Sequence, residues 1–207
     1  MGFFSDDCKA PREGTELPRK RGLPRLGELV IRDFMSFFKA GFLALLGAVP
    51  FIVGTILALY ARQMVMAPAA GLAGGLIAGP QLCALADTIL RSLRDEPGSW
   101  WKVYRRSWRR SARAALLPGA LAGAMLSTQI FLFVHAGALG ITAPVEAALV
   151  AGFLLLTGLA TYLWPLLALM ELPFPLLIKD AALLFLGQLP RSAAALAVEV
   201  LYWAEVL

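Results

Sequence analysis

Between residues 40 and 170 the chain holds four apolar runs almost free of charge, and their length decides what it can fold into. A hydrocarbon core about 30 Å thick is crossed by about 20 helical residues. The runs extend from Ala40 to Tyr60, from about Val65 to Leu90, from Ala114 to about Ala136, and from about Val145 to Met170. Pro50 lies inside the first run and Arg62 just beyond it; in a membrane helix such a proline kinks rather than breaks. A fifth run, residues 191–207, is short and carries Glu199 and Glu205. It reads as a last span. The expected fold class is all-α: a polytopic transmembrane helical bundle of about five spans with cytoplasmic amphipathic interfacial helices. Composition agrees, since 59% of residues are apolar, 16% are charged and mean hydropathy is +0.71. Soluble domains carry roughly 25% charge.

Charge is distributed as a membrane orients it. Of the 19 Lys and Arg residues, eight precede the first run, one follows it, eight lie between the second and third runs, none between the third and fourth, and two between the fourth and fifth. Cytoplasmic flanks carry the cations. The N-terminus, the 91–113 segment and a 171–191 loop are therefore expected inside, with Arg62 and the His135–Pro144 turn outside. Residues 1–25, with Pro11, Gly14, Pro18 and Gly22, read as a flexible basic cytoplasmic arm. They precede the first apolar run by too much for a signal peptide. Residues 26–207 form a single membrane domain, in which 26–39 reads as an amphipathic helix leading to the membrane. Cys8 and Cys83 are too few and too differently placed for a disulfide framework or a metal site.

Three sets of residues stand out. The first is the aromatic and basic run Trp100, Trp101, Tyr104, Arg105, Arg106, Trp108, Arg109, Arg110 and Arg113. As a helix over 99–113 it places Trp101, Tyr104 and Trp108 on one face with arginines beside them, the pattern of an interfacial helix lying along an anionic leaflet. Each such cation is worth about 1 kcal/mol near the surface. Plain anchoring and docking of a partner stay open.

The second set is Gly71, Gly75 and Gly79, at four-residue spacing with Ala67 one turn earlier, matched by Gly119, Gly123 and Ser127. A helix ridge without side chains admits another backbone closely. Packing inside one bundle and a homo-oligomer face both satisfy it. The third is a candidate polar site of Asp87, Arg91 and Gln129. Asp87 and Arg91 share a helix face, and an ionisable group within an apolar run needs a partner. Gln129, with Thr157 and Thr161, reads as an interhelical hydrogen-bond group or an interfacial one.

The order of further features resembles a known family. Gly79-Pro80 comes late in an apolar run, followed by Leu90-Arg91-Ser92-Leu93-Arg94-Asp95-Glu96-Pro97-Gly98, an aromatic-basic helix, and Leu116-Leu117-Pro118-Gly119 opening the next run. Phe174-Pro175-Leu176-Leu177, Ala181-Ala182-Leu183-Leu184 and Leu189-Pro190-Arg191 follow. This resembles the YesL-like bacterial membrane proteins, a family of unknown function. The resemblance implies a short cytoplasmic helix before the last span and an accessory role in carbohydrate uptake. It brings no catalytic residues.

The expected function is that of a non-enzymatic accessory, scaffold or assembly factor of the bacterial plasma membrane, multi-pass with its N-terminus in the cytoplasm. The alternative is a small oligomeric transporter or channel with a polar site around Asp87. No nucleophile, base and acid assemble, and no cofactor or metal is expected. The expected partners are a bilayer with anionic lipids, a membrane or cytoplasmic protein, or a second copy, and not nucleic acid.

Overall fold

A computed structural model describes residues 23–96, 99–170 and 172–206, and in them helix and connecting turns only. Most of the arm, residues 1–22, lies outside the described residues. Six helices follow in order: α1 Leu23–Ala61, α2 Met66–Leu93, α3 Trp100–Val134, α4 Ala143–Leu169, α5 Phe174–Gly187 and α6 Leu189–Val206. Four of them, α1 from Ile31, α2, α3 and α4, are long and apolar enough to cross a membrane. Each of the four carries one internal proline, Pro50, Pro80, Pro118 and Pro165 respectively.

The two amphipathic segments are not separate helices. Residues 26–39 continue without a break into the first apolar run, and residues 100–113 continue into the third. Neither junction offers a helix stop: Lys39-Ala40 and Ala112-Arg113-Ala114-Ala115 are good helix formers. The merged helices have 39 and 35 residues, about 58 Å and 52 Å at 1.5 Å per residue. Both outrun a 30 Å core at their N-terminal ends.

The expected 171–191 loop also differs, because residues 174–187 form α5, entered through Pro173 and Pro175. Leu177 and Ala181 pack against Leu166, Leu167 and Ala168 of α4, and Phe185 fills the gap above Gly158. Beyond Gln188 the chain turns into α6, of 18 residues. Ser192 holds the turn, donating to the Phe185 carbonyl at 3.1 Å and lying 2.8 Å from the Tyr162 hydroxyl of α4.

The centre of the bundle is the contact of α2 with α3, which run antiparallel. Gly71 meets Gly123, Gly75 meets Gly119 and Gly79 meets Ala115. A Cβ on Gly79 would stand 2.6 Å from the Ala115 carbonyl oxygen, and one on Gly71, Gly75, Gly119 or Gly123 would come closer still to the facing backbone. The row continues in steps of four through Cys83 and Asp87 on α2 and through Ser111 and Ser107 on α3, all buried. The glycine motif is thus satisfied within one chain. α1 lies on α2's other side, where Gly74 takes the Phe51 backbone and Gly54 takes Ala70. A buried hydrogen bond from Thr55 to Ser127, 3.1 Å, ties α1 to α3.

Replacing Gly75 or Gly119 by Val should cost about 3 kcal/mol or more, since backbone rather than a movable side chain stands in the way. Gly41→Ala is the control, as a Cβ there meets nothing within 4 Å. It should raise stability by about 0.5–1 kcal/mol through helix propensity. Thermal unfolding in detergent reads both; a Gly75→Val protein as stable as the parent would refute the seam.

Candidate functional site

The charged residues of the bundle gather at one end, where α1 and α3 begin and α2 and α4 finish. α2 closes there in a Schellman-type turn. Glu96 N–H donates to the Arg91 carbonyl at 3.1 Å and Asp95 N–H to that of Ser92 at 3.0 Å. Asp95 occupies the left-handed position with φ 57°, a place where Gly is usual and Asp tolerated. What Asp gains over Gly there is a carboxylate, and Arg32 of α1 donates to it at 2.8 Å. Arg32 also pairs with Asp33 at 2.9 Å, and the Ser92 hydroxyl donates to the same Asp33 oxygen. This ties the extended start of α1 to the end of α2.

Asp87 lies one turn inside this network and is 4% exposed. Its Oδ2 accepts from Arg91 Nε at 3.1 Å, and Arg91 Nη1 in turn reaches Glu96 at 3.0 Å. The pairing of Asp87 with Arg91 is as expected from their spacing. Gln129 does not join them. The seam register sets Gln129 level with Val65, the N-cap of α2, 22 residues or about 33 Å from Asp87 along the axis. There it packs on α4, where a Cβ on Gly152 would lie 2.9 Å from its Nε2. The three-residue polar site is corrected to a pair, because antiparallel helices bring together residues of constant index sum and these do not share one. Thr157 and Thr161 also bond within α4, to the carbonyls of Phe153 and Gly158 at 2.9 and 2.7 Å. The same register sets Ser107 level with Asp87. Its hydroxyl is buried without a hydrogen-bond partner.

The aromatic-basic run divides into two faces. Trp100, Tyr104, Ser107 and Ser111 are buried, with Trp100 and Tyr104 packed on Ala40 of α1 and Ala84 of α2. Tyr104 donates its hydroxyl proton to Gln81 of α2, and Lys39 sits 5.8 Å above the Trp100 ring. Trp101 is half-buried and Trp108 exposed. Bundle packing, not a membrane surface, therefore takes two of the aromatic anchors.

Arg105, Arg106, Arg109, Arg110 and Arg113 are exposed on the opposite side of α3. At 100° per residue they cover an arc of about 140° centred opposite the buried face. Among the described residues none of the five has a carboxylate within ion-pair distance, whereas Arg32, Arg91 and Arg94 all do. Arg110 alone makes a hydrogen bond, to the Ala168 carbonyl in the last turn of α4. This cap, the Arg32–Asp95 pair and the burial of Ser107 are not expected from the sequence pattern. Only Ser107 left a signal, as the next step of four below Ser111.

Among the described residues no group of three or more His, Cys, Asp or Glu could hold a metal ion. No family model, no curated protein and no solved structure matches the chain.

Arg91→Ala should destabilise the protein by about 1–2 kcal/mol, because it strands the buried Asp87 carboxylate while Arg91 itself is partly solvated. The double variant Arg105→Gln with Arg109→Gln should stay within about 0.5 kcal/mol of the parent. Thermal melts of the three proteins in one detergent provide the comparison, and equal losses would contradict the division into paired and unpaired arginines.

Proposed function

We propose that this protein is a multi-pass plasma-membrane protein of bacteria, non-enzymatic, whose arginine face on α3 docks an acidic cytoplasmic surface of a protein partner that it helps to assemble or hold. The observation that carries this reading is the row of five arginines without a carboxylate partner among the described residues, presented by a helix whose other face is fixed in the bundle. Four helices of membrane length support a multi-pass protein, with residues 191–207 as the fifth expected span, and the positive-inside distribution supports an N-terminus inside. Counting about 20 residues along α2 from Val65, where the uncharged ends of the helices meet Arg62, reaches Leu85. Leu85 is level with Arg109 of α3 and with Leu166 of α4, since Cys83 bonds the Trp164 carbonyl and the α2–α3 register is constant. Arg109 and Arg110 then sit at the headgroup boundary, and Arg113, one turn deeper, reaches back to it along the helix. Arg105 and Arg106 stand about 6 Å further out, clear of the hydrocarbon and available to a soluble surface. The YesL-like order of features adds carbohydrate uptake as the setting for that partner.

Crosslinking and pull-down from native membranes, with the chain tagged at its N-terminus, tests the proposal. One stoichiometric partner should be recovered with the parent protein and lost, by about tenfold or more, with Arg105, Arg106 and Arg109 all changed to Gln; each exposed charge pair contributes up to about 1 kcal/mol. Equal recovery with both proteins, or recovery of the tagged chain alone, would overturn it.

A further inference from the structure

Arg110 differs from its neighbours in what surrounds it. A cleft of about 220 Å³ opens between α3 and the last turn of α4, lined by Arg110, Ser111 and Ala114 on one side and by Leu167, Ala168, Leu169 and Met170 on the other. Its walls mix apolar side chains with polar groups, the Arg110 guanidinium and the Ser111 hydroxyl among them. The guanidinium is held there by its bond to the Ala168 carbonyl, which uses one of its five N–H donors. The remaining donors have no carboxylate within ion-pair distance among the described residues.

We infer that this cleft is a binding site for a phospholipid headgroup that carries both a phosphate and a primary ammonium, the phosphoethanolamine class. The inference rests on the membrane placement above, which sets Arg110 and Leu167 at the boundary between hydrocarbon and headgroups. Three features select the ligand. A guanidinium with free N–H groups is matched to a phosphodiester, which it binds in bidentate fashion. The apolar side chains of Ala114 and Leu167, at and below the boundary, suit the first carbons of the acyl chains. The third is the end of α4, where the helix dipole is negative and where α4 itself supplies no Lys, Arg or His in the last turn, so that the Arg110 guanidinium on the Ala168 carbonyl is the cation that meets it. A headgroup with only negative charge would compete with that end for the one guanidinium and offer its other carbonyls nothing. A primary ammonium can donate to its outward carbonyls, and a quaternary choline, with no N–H, cannot.

The full-length protein in detergent, titrated with phosphatidylethanolamine, phosphatidylglycerol or phosphatidylcholine of matched chains, provides the test by native mass spectrometry. The parent should hold one phosphatidylethanolamine in preference to either other lipid. Arg110→Gln should weaken that lipid roughly tenfold to a hundredfold, the equivalent of a charged hydrogen bond of about 1.5–3 kcal/mol. Ala114→Phe fills the cleft without touching the Arg110 cap and should have the same effect, so a folding defect in one variant does not decide the matter. Changing Arg105, Arg106 and Arg109 to Gln should leave the lipid bound while the partner is lost. Equal retention of the three lipids, or phosphatidylethanolamine binding that survives both cleft variants, would overturn the site and leave the arginine-face reading standing. Loss of the partner with intact lipid selectivity in the triple variant would support both independently.

Discussion

The close approach of the α2 and α3 backbones is the constraint from which the rest of the bundle follows. Lipid tails are as apolar as leucine, so helices in a bilayer gain little from burying side chains against one another; they gain from dispersion and weak Cα–H···O contacts when backbones come near. Gly71, Gly75, Gly79, Gly119 and Gly123 provide that approach over three helical turns. The interlock also sets a register, because a slide of either helix by one residue would drive a side chain into a facing carbonyl. Once register is set, the position of every polar group on the two helices is set with it. Asp87 is buried beside the continuation of the seam, Ser111 and Ser107 face α2, and Arg105, Arg106, Arg109, Arg110 and Arg113 turn outward.

Length adds the second constraint. α1 and α3 each exceed what a hydrocarbon core accommodates, and because they run in the same direction both overhangs emerge at one end. Two such overhangs would fray unless tied together. The ties are Arg32 to Asp95 and Asp33 to Ser92 between α1 and α2, Tyr104 to Gln81 between α3 and α2, and the Lys39 ammonium over Trp100 between α1 and α3. The acidic side chains at this end are therefore engaged on α1 and α2. The arginines of α3 are left without them, which is a consequence of the tie pattern rather than of composition alone.

Much of this was legible in the chain itself, and what was not has definable causes. Four membrane-length helices follow from uncharged run length, a local property, and the small-residue ridge follows from strict four-residue spacing. Asp87 with Arg91 followed from their spacing on one helix. The orientation of Trp100–Arg113 was not legible from its aromatics, because two overlapping faces both contain Tyr104. The choice between them lay in the serines: counting down in fours from Gly123 gives Gly119, Ala115, Ser111 and Ser107, so the seam and not the aromatic pattern selects the buried face. Gln129 and Asp87 are both polar within apolar runs, but their depth along antiparallel helices needs the register, and that exists only after packing. A short helix before the last span is implied by the family resemblance, while its inward residues, Leu177, Ala181 and Phe185, are four apart and come out only once α5 packs on α4.

Depth also explains how one residue type comes to serve different ends within a single run of α3. An arginine level with the last turn of α4 meets a helix-end carbonyl and apolar side chains, so part of its hydrogen-bonding capacity is spent on the protein and its surroundings are half apolar. An arginine one turn and a half nearer the helix start meets water on all sides but one, and its charge is screened beyond about 8–10 Å at physiological salt. The first environment rewards a ligand fitted in shape and charge, held near a low-dielectric wall. The second rewards any dense acidic surface and discriminates by total charge. A continuous helix makes both available on one face, which a helix lying flat along the leaflet would not, since all of its arginines would then share a single depth.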